Sequence, residues 1–291
     1  MISDKYAVKQ FAARRGVQTA KLLHVTEHPN DIPFDELPER CFIKANHASG
    51  WNILSEGREL YNFGHGDHLI AANGALVRPS EGAPHRLSRD ECIRRCGSWL
   101  GRDYSRSQWA YRRIRRKIVV EAALTPRVGG QLEDFRLYAF HGRVRAINVG
   151  SPAYRRRRRN AFFDPEWRLF RLTRFKEALP DPLPERPEPL AEMIATAEAL
   201  ARDIDFVRVD LYDTTEGIVL GEMTVYPEAG KANTPTACPV FNRWLGEEWI
   251  GAPRWRAGGR ARLPQLVASG SDPLPPTALT PQPQQNSGDR C

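Results

Sequence analysis

The sequence predicts mixed α and β structure, with strands joined as antiparallel hairpins and helices standing apart from them. Three stretches carry that reading. Phe206 to Lys231 opens with Val207, Val209 and Leu211 alternating with Arg208, Asp210 and Tyr212, the period-two pattern of a half-buried strand. A turn-rich segment, Asp213 to Gly217, separates it from a second strand, Val219 to Val225. Asp134 to Phe140 and Arg143 to Val149 form another hairpin around His141-Gly142. Leu190 to Ile204 sets Leu190, Met193, Ala197, Leu200 and Ile204 along one helical face, the spacing of a core stripe.

The remaining elements follow in chain order. Ser3 to Arg15 reads as a helix stopped by Gly16. Cys41 to Ala45 is a short apolar strand carrying Lys44, and it runs into the small polar loop Asn46 to Asn52 and a second strand at Ile53-Leu54. Tyr61 to Arg86 is irregular. Ser88 and Glu91 form a capping box that opens a helix to about Gly101, with Cys92, Cys96 and Trp99 on its apolar side. Ser105 to Arg116 reads as a strongly basic second helix. Ile118 to Leu124 is a strand with one acid, Glu121, and a short strand pair spans Asn160 to Arg171. Pro180 to Pro189 is a connector. Residues 257–291, rich in Gly and Arg and then in Pro, Gln and Ser, are expected to be disordered.

Composition narrows the class. The 291 residues suffice for one large domain or two lobes around a sizeable core. No run of about 18 apolar residues occurs, so no membrane span is expected. The charged start, MISDKYAVKQ, does not read as a signal peptide. Five cysteines without a CxxC are read as reduced thiols of a cytoplasmic protein. His65, Asp67 and His68 are read as a polar loop rather than a zinc site. The formal charge of +8 favours anionic partners, among them nucleotide phosphates, acidic polysaccharide and nucleic acid. Lysine is scarce, occurring only at 5, 9, 21, 44, 117, 176 and 231.

Two places carry chemistry. A five-residue loop in the 206–225 hairpin sets Arg208 opposite Glu222 and Asp210 opposite Leu220. Arg208, Asp210, Glu222 and Thr224 then share one face, with Asp210 and Glu222 diagonal at roughly 7–8 Å. Two carboxylates at that spacing can share one hard cation through oxygen. A loop one residue shorter or longer sends Glu222 to the opposite face. The competing reading is a surface hairpin with solvated acids. At the second place, Lys44 and the loop after it can fold over a polyphosphate, with backbone N–H groups facing the phosphates. The competing readings there are a solvated strand-edge lysine and, for His47, a loop hydrogen-bonder.

Several stretches together resemble the ATP-grasp superfamily, and within it the TupA-like branch associated with teichuronopeptide and other surface polysaccharides. They are SDKYAVKQF (3–11), FIKANHASGWN (42–52), VVEAAL (119–124), LEDFRLYAFHG (132–142), FFDPEW (162–167), FVRVDLY (206–212) and GEMTVYPEAG (221–230). The resemblance implies an α+β fold in which two lobes with antiparallel sheets clasp ATP, over residues 1–256 with a lobe boundary near 118–124. It implies ATP and Mg2+ as cofactors. Lys44 would contact the phosphates, and His47, Ser49 and Gly50 would lie in a phosphate lid. Glu121, Ala122, Ala123 and Leu124 would form the hinge that meets adenine and ribose. Asp210 and Glu222 would hold the metal, with Thr224 standing where many relatives have asparagine. Arg208 would face the transferred phosphate.

The activity so implied is ATP-dependent joining of a carboxylate to an amine through an acyl phosphate, on an acidic small-molecule or polysaccharide substrate. Contact with a polysaccharide synthesis machinery would be peripheral. The sequence offers no nucleophile motif of the GxSxG or Cys/His kind, and this chemistry needs none. Two other readings stand beside it. One is a basic polyanion-binding protein that keeps the fold without turnover, favoured by the arginine run 155–159. The other is a glycosyltransferase of a polysaccharide pathway. No base-reading element accompanies the arginines, so no specific nucleic-acid partner is expected.

Overall fold

The computed structural model describes residues 2–62, 69–70, 76–77, 85–105, 108–128, 132–150, 160–171, 179–180, 182–227, 239–249 and 265–267. In chain order it begins with α1 (Ala7–Ala13), β1 (Gln18–Thr19), β2 (Leu22–Thr26), β3 (Arg40–Ala45), β4 (Asn52–Glu56) and β5 (Glu59–Asn62). The two-residue strands β6 (Leu69–Ile70), β7 (Leu76–Val77) and β8 (Arg86–Leu87) follow, then α2 (Arg89–Gly101), α3 (Trp109–Arg112) and β9 (Ile118–Ala122). The second half holds β10 (Asp134–Phe140), β11 (Arg143–Gly150), β12 (Asn160–Phe163), β13 (Leu169–Arg171), α4 (Leu190–Ala201), β14 (Phe206–Thr214), β15 (Gly217–Thr224), α5 (Pro239–Glu248) and β16 (Gln265–Val267).

These strands form two large sheets, which gives the α+β, two-lobed architecture that the resemblance implies. The first runs β2-β9-β3-β4-β5-β8 and is antiparallel throughout. Its inner face carries Cys41, Ile43, Ala45, Ile53, Ile118 and Val120, packed on Cys92, Cys96 and Trp99 of α2. Both helix cysteines are fully buried, so they serve as core residues, as their spacing indicates. The α2 start is a complete capping box: Ser88 accepts from Glu91 N–H, and Glu91 accepts from Ser88 N–H.

The second sheet runs β1-β15-β14-β10-β11-β12-β13-β16. One face is apolar, with Phe135, Leu137, Val207, Val209, Leu211 and Met223 against α4 and α1. The other face is divided. Tyr138, Phe140 and Phe162 at one end are covered by Phe241 and Trp244 of α5. Charged and polar residues elsewhere on that face form the site described below.

Several segments differ from the sequence expectation. The basic helix expected over 105–116 contracts to four residues. Arg112, Arg113, Arg115 and Arg116 place like charges one turn apart, which opposes helix extension. Arg115 and Arg116 instead reach Glu27 and Asp103. The strands β1 and β2 and the helix α5 were not anticipated. The two short strands β6 and β7 pair within the stretch read as irregular. In the segment read as a disordered tail, Gln265–Val267 pairs with β13 as an edge strand. The rest of 257–291 lies outside the described residues, as do His65, Asp67, His68 and the arginine run 155–159. No helix among the described residues is long and apolar enough to cross a membrane.

The core stripe of α4 holds this architecture against the second sheet. Leu200 is fully buried there. Leu200→Ala should cost about 2–5 kcal/mol of unfolding free energy, because neighbouring side chains only partly refill the cavity. Urea unfolding of the two proteins measures the difference.

Candidate active site

The site is built from three pieces of chain that meet between the sheets. The N-terminal segment belongs to both lobes. Val8 and Ala12 of α1 sit in the core of the second sheet, and β1 pairs in parallel with β15. Yet Lys5 donates to the Ala48 carbonyl, and Asn46 Nδ2 donates to Asp4 at 2.9 Å, both across to the loop after β3. Beyond β9 the chain crosses back along the tip of the β14–β15 hairpin. Thr215 N–H donates to Thr125 O at 3.0 Å, and Arg127 Nε lies 2.6 Å from Asp213 Oδ1.

On the first sheet, β3 and β9 pair so that Lys44 and Glu121 share the face turned from the core. Lys44 forms an ion pair with one Glu121 oxygen, and Lys9 of α1 lies 2.9 Å from the other. Burial alone would raise the Glu121 pKa. The charges of Lys44 and Lys9 overcome it and hold the group at about 2. Glu121 thus sits within strand β9, with only Ala123 and Leu124 of the expected hinge on the crossover. Ala122 N–H donates to Lys21 O at 2.9 Å and Ala123 N–H to Arg40 O at 3.3 Å, which ties the start of this segment to the first sheet. In the loop after β3, Ser49 is exposed and Gly50 takes a left-handed φ of 74°. His47 is buried instead, its Nε2 3.0 Å from the Trp99 carbonyl. That is the loop-anchoring role weighed for it from sequence. Burial lowers its pKa, so it is neutral.

On the second sheet, Arg208, Asp210, Glu222 and Thr224 do share one face. Their register differs from the expectation: Asp210 lies directly opposite Glu222, and Arg208 opposite Thr224. The turn is shorter than five residues, because Thr214 already pairs with Gly217, and a bulge between Asp210 and Leu211 restores the face. Arg208 grips Asp210 with two hydrogen bonds of 2.7 and 2.6 Å. Thr224 Oγ1 donates to Glu222 Oε1 at 2.6 Å. Burial pushes Asp210 up to about 7 against the pull of Arg208, with Asp134 and Glu222 adding to the rise. Burial acts in the same direction on Glu222, but Lys5, Arg208, the Thr224 hydrogen bond and Lys44 keep it below the usual range. The charges of Lys5 and of Lys44 on the first sheet thus act on Glu222 of the second.

Sequence reasoning missed part of this face. Arg136 lies opposite Asp210 on β10, with Nε 2.8 Å from Asp134 and Nη1 3.0 Å from Asn148. Lys5 and Lys9 were also unassigned. The scarcity of lysine was the available signal, because three of the seven converge here.

The ordered stretches that suggested the family are matched as a whole. The profile of TupA-like ATPgrasp proteins fits residues 1–250. The chain belongs to the TupA-like ATP-grasp family. No curated protein matches it. Solved structures similar to it include the D-alanine–D-alanine ligase of Bacillus anthracis, 16% identical with a TM-score of 0.43 over 86% of this chain and 66% of that one. The ATP-grasp ligase PsnB, complexed with a precursor variant, Mg and ADP, is 11% identical with a TM-score of 0.39, over 84% of this chain and 58% of that one. The N5-carboxyaminoimidazole ribonucleotide synthetase of Thermotoga maritima is 10% identical with a TM-score of 0.38, over 77% and 41%. The chain therefore spans 41–66% of the length of these three proteins.

The buried Glu121 pair has a pH signature. An acid whose folded pKa is depressed stabilises the fold above its ordinary value of 4.5 and loses that contribution as pH falls towards 2. Wild type should exceed Glu121→Gln in stability at pH 6 by on the order of 3 kcal/mol. The gap should close between pH 4.5 and 2, read by urea unfolding across that range.

Proposed function

We propose that this protein is an ATP-dependent ligase that joins a carboxylate to an amine in the synthesis of a surface polysaccharide or teichuronopeptide-like polymer. The observation that carries the reading is the direct opposition of Asp210 and Glu222 on one sheet face, within electrostatic reach of Lys44 and Lys5. A protein that only bound polyanions would gain nothing from two opposed acids, one of them buried, beside its lysines.

The donor set suits magnesium. Both acids offer hard oxygens from adjacent strands, and no group of three or more His, Cys, Asp and Glu side chains gathers among the described residues. Two carboxylates completed by phosphate and water are the usual arrangement for that ion, unlike an all-protein cage. Asp210 and Glu222 would hold it, with the Thr224 hydroxyl beside them, and it would supply charge neutralisation to the transferring phosphoryl group.

The chain's own groups supply the rest. Lys44 exchanges its contact with Glu121 for the nucleotide phosphates, while Ser49 and Gly50 close over them. The Glu121 to Leu124 segment lies along the adenine and ribose. A carboxylate oxygen of the substrate attacks the γ-phosphorus and ADP leaves. Arg208 stabilises the charge on the transferred group. The amine then attacks the acyl carbon, phosphate departs, and the amine loses a proton as the amide forms. No covalent enzyme intermediate is required.

ATP-dependent phosphate release, measured across a panel of uronic acids and amino acids, tests the activity. Turnover with at least one carboxylate–amine pair is expected, and its loss in Glu222→Gln with the fold retained. Lys44→Ala should weaken ATP binding at least ~10-fold by calorimetry. Unchanged affinity in that folded variant would remove Lys44 from the site.

A further inference from the structure

The β14–β15 ladder contains a device that decides where Glu222 points. From the turn inward the pairs are regular: Thr214 with Gly217, Asp213 with Ile218, Tyr212 with Val219 and Leu211 with Leu220. Continued without interruption, the ladder would set Gly221 opposite Asp210, and Glu222 opposite Val209. Glu222 would then share the face of Val209, among Leu137 and Leu211 in the apolar core, and Met223 would be turned out of it. A carboxylate there would be desolvated without a partner. Instead the next pair is Asp210 with Glu222, and Gly221 is the extra residue. A bulge of this kind places two successive positions on one side of the sheet.

The bulge has its own steric condition. A Cβ built on Gly221 would lie 2.3 Å from Tyr212 Cε2, 3.1 Å from Cδ2 and 3.2 Å from Cζ. The Tyr212 ring therefore occupies the space of the missing side chain. Gly221 does not adopt a left-handed φ, so glycine is needed here for room and not for backbone freedom. Tyr212 stands two residues from Asp210 on the same strand and face, which puts ring, bulge and both acids in one continuous patch.

We propose that Gly221 is a positioning residue of the carboxylate pair: its bulge, seated under the Tyr212 ring, carries Glu222 out of the core and sets it opposite Asp210. This rests on the reading that the two acids hold a divalent ion with ATP. Even one methyl group at position 221 forces either the ring or the strand to move. A shift of the strand by one residue exchanges Glu222 with Met223.

Calorimetric titration of the full chain with ATP, in Mn2+ and separately in EDTA, tests the proposal alongside thermal unfolding. In Gly221→Ala the Mn2+-dependent gain in ATP affinity should fall at least ~10-fold, while affinity in EDTA stays within about 2-fold of wild type. Gly221→Ala combined with Tyr212→Ala removes the obstructing ring and should recover the Mn2+-dependent gain to within about 3-fold. That double variant also answers the question if the single one does not fold. Wild-type Mn2+ dependence in Gly221→Ala overturns the proposal. So does an equal loss with and without metal, or a folded double variant that recovers nothing. A wild-type protein whose ATP affinity ignores Mn2+ overturns the metal reading itself, whatever Gly221 does.

Discussion

The buried carboxylate of Glu121 is the interaction on which the rest of the site depends. It sits on the first sheet, but one of its two lysines comes from α1, whose apolar side is embedded under the second sheet. Exchanging a buried ion pair for apolar contacts can leave stability unchanged, whereas removing one partner alone is costly. Its value here is therefore positional. Each lysine holds one oxygen of Glu121, so the N-terminal helix and Lys44 of β3 are both tied to β9.

The second sheet solves a different electrostatic problem. Two opposed acids on one face repel, and the surroundings separate them: Asp210 is pushed up and Glu222 is held down. Arg208 engages both oxygens of Asp210, and Thr224 engages one oxygen of Glu222. A divalent ion arriving with nucleotide would meet preformed oxygen donors, at the cost of loosening these contacts. The aromatic end of the same face is closed by α5, which leaves the charged row at one side of the sheet.

Much of the fold was legible because its signals are local. The capping box at Ser88, the α4 stripe and the hairpin around His141-Gly142 each follow from neighbours in sequence. The basic helix at 105–116 was overestimated, because its arginines find partners in Glu27 and Asp103, which no local rule locates. The strands β1 and β2 were missed because they are short and mostly half-buried, and they exist through pairing with β15 and β9. Of the site, the acids and Lys44 were readable as chemistry. Lys5, Lys9 and Arg136 were not, since what marks them is the company they keep across the cleft.

The register of β14 and β15 shows where the division falls. The sequence by itself determined that Asp210 and Glu222 lie on two hairpin strands, but the apolar run Ile218-Val219-Leu220 leaves the phase of the second strand open. An expected five-residue loop reproduced the correct face with the wrong partners, because two registers that differ by two residues share the same parity. Only the tertiary structure decided between them. The apolar core accepts Leu220 and Met223 and excludes Glu222, and the Tyr212 ring leaves room at position 221 for glycine alone. Side-chain alternation is a property of the chain, but the partner of each residue is chosen by what packs on both faces of the sheet.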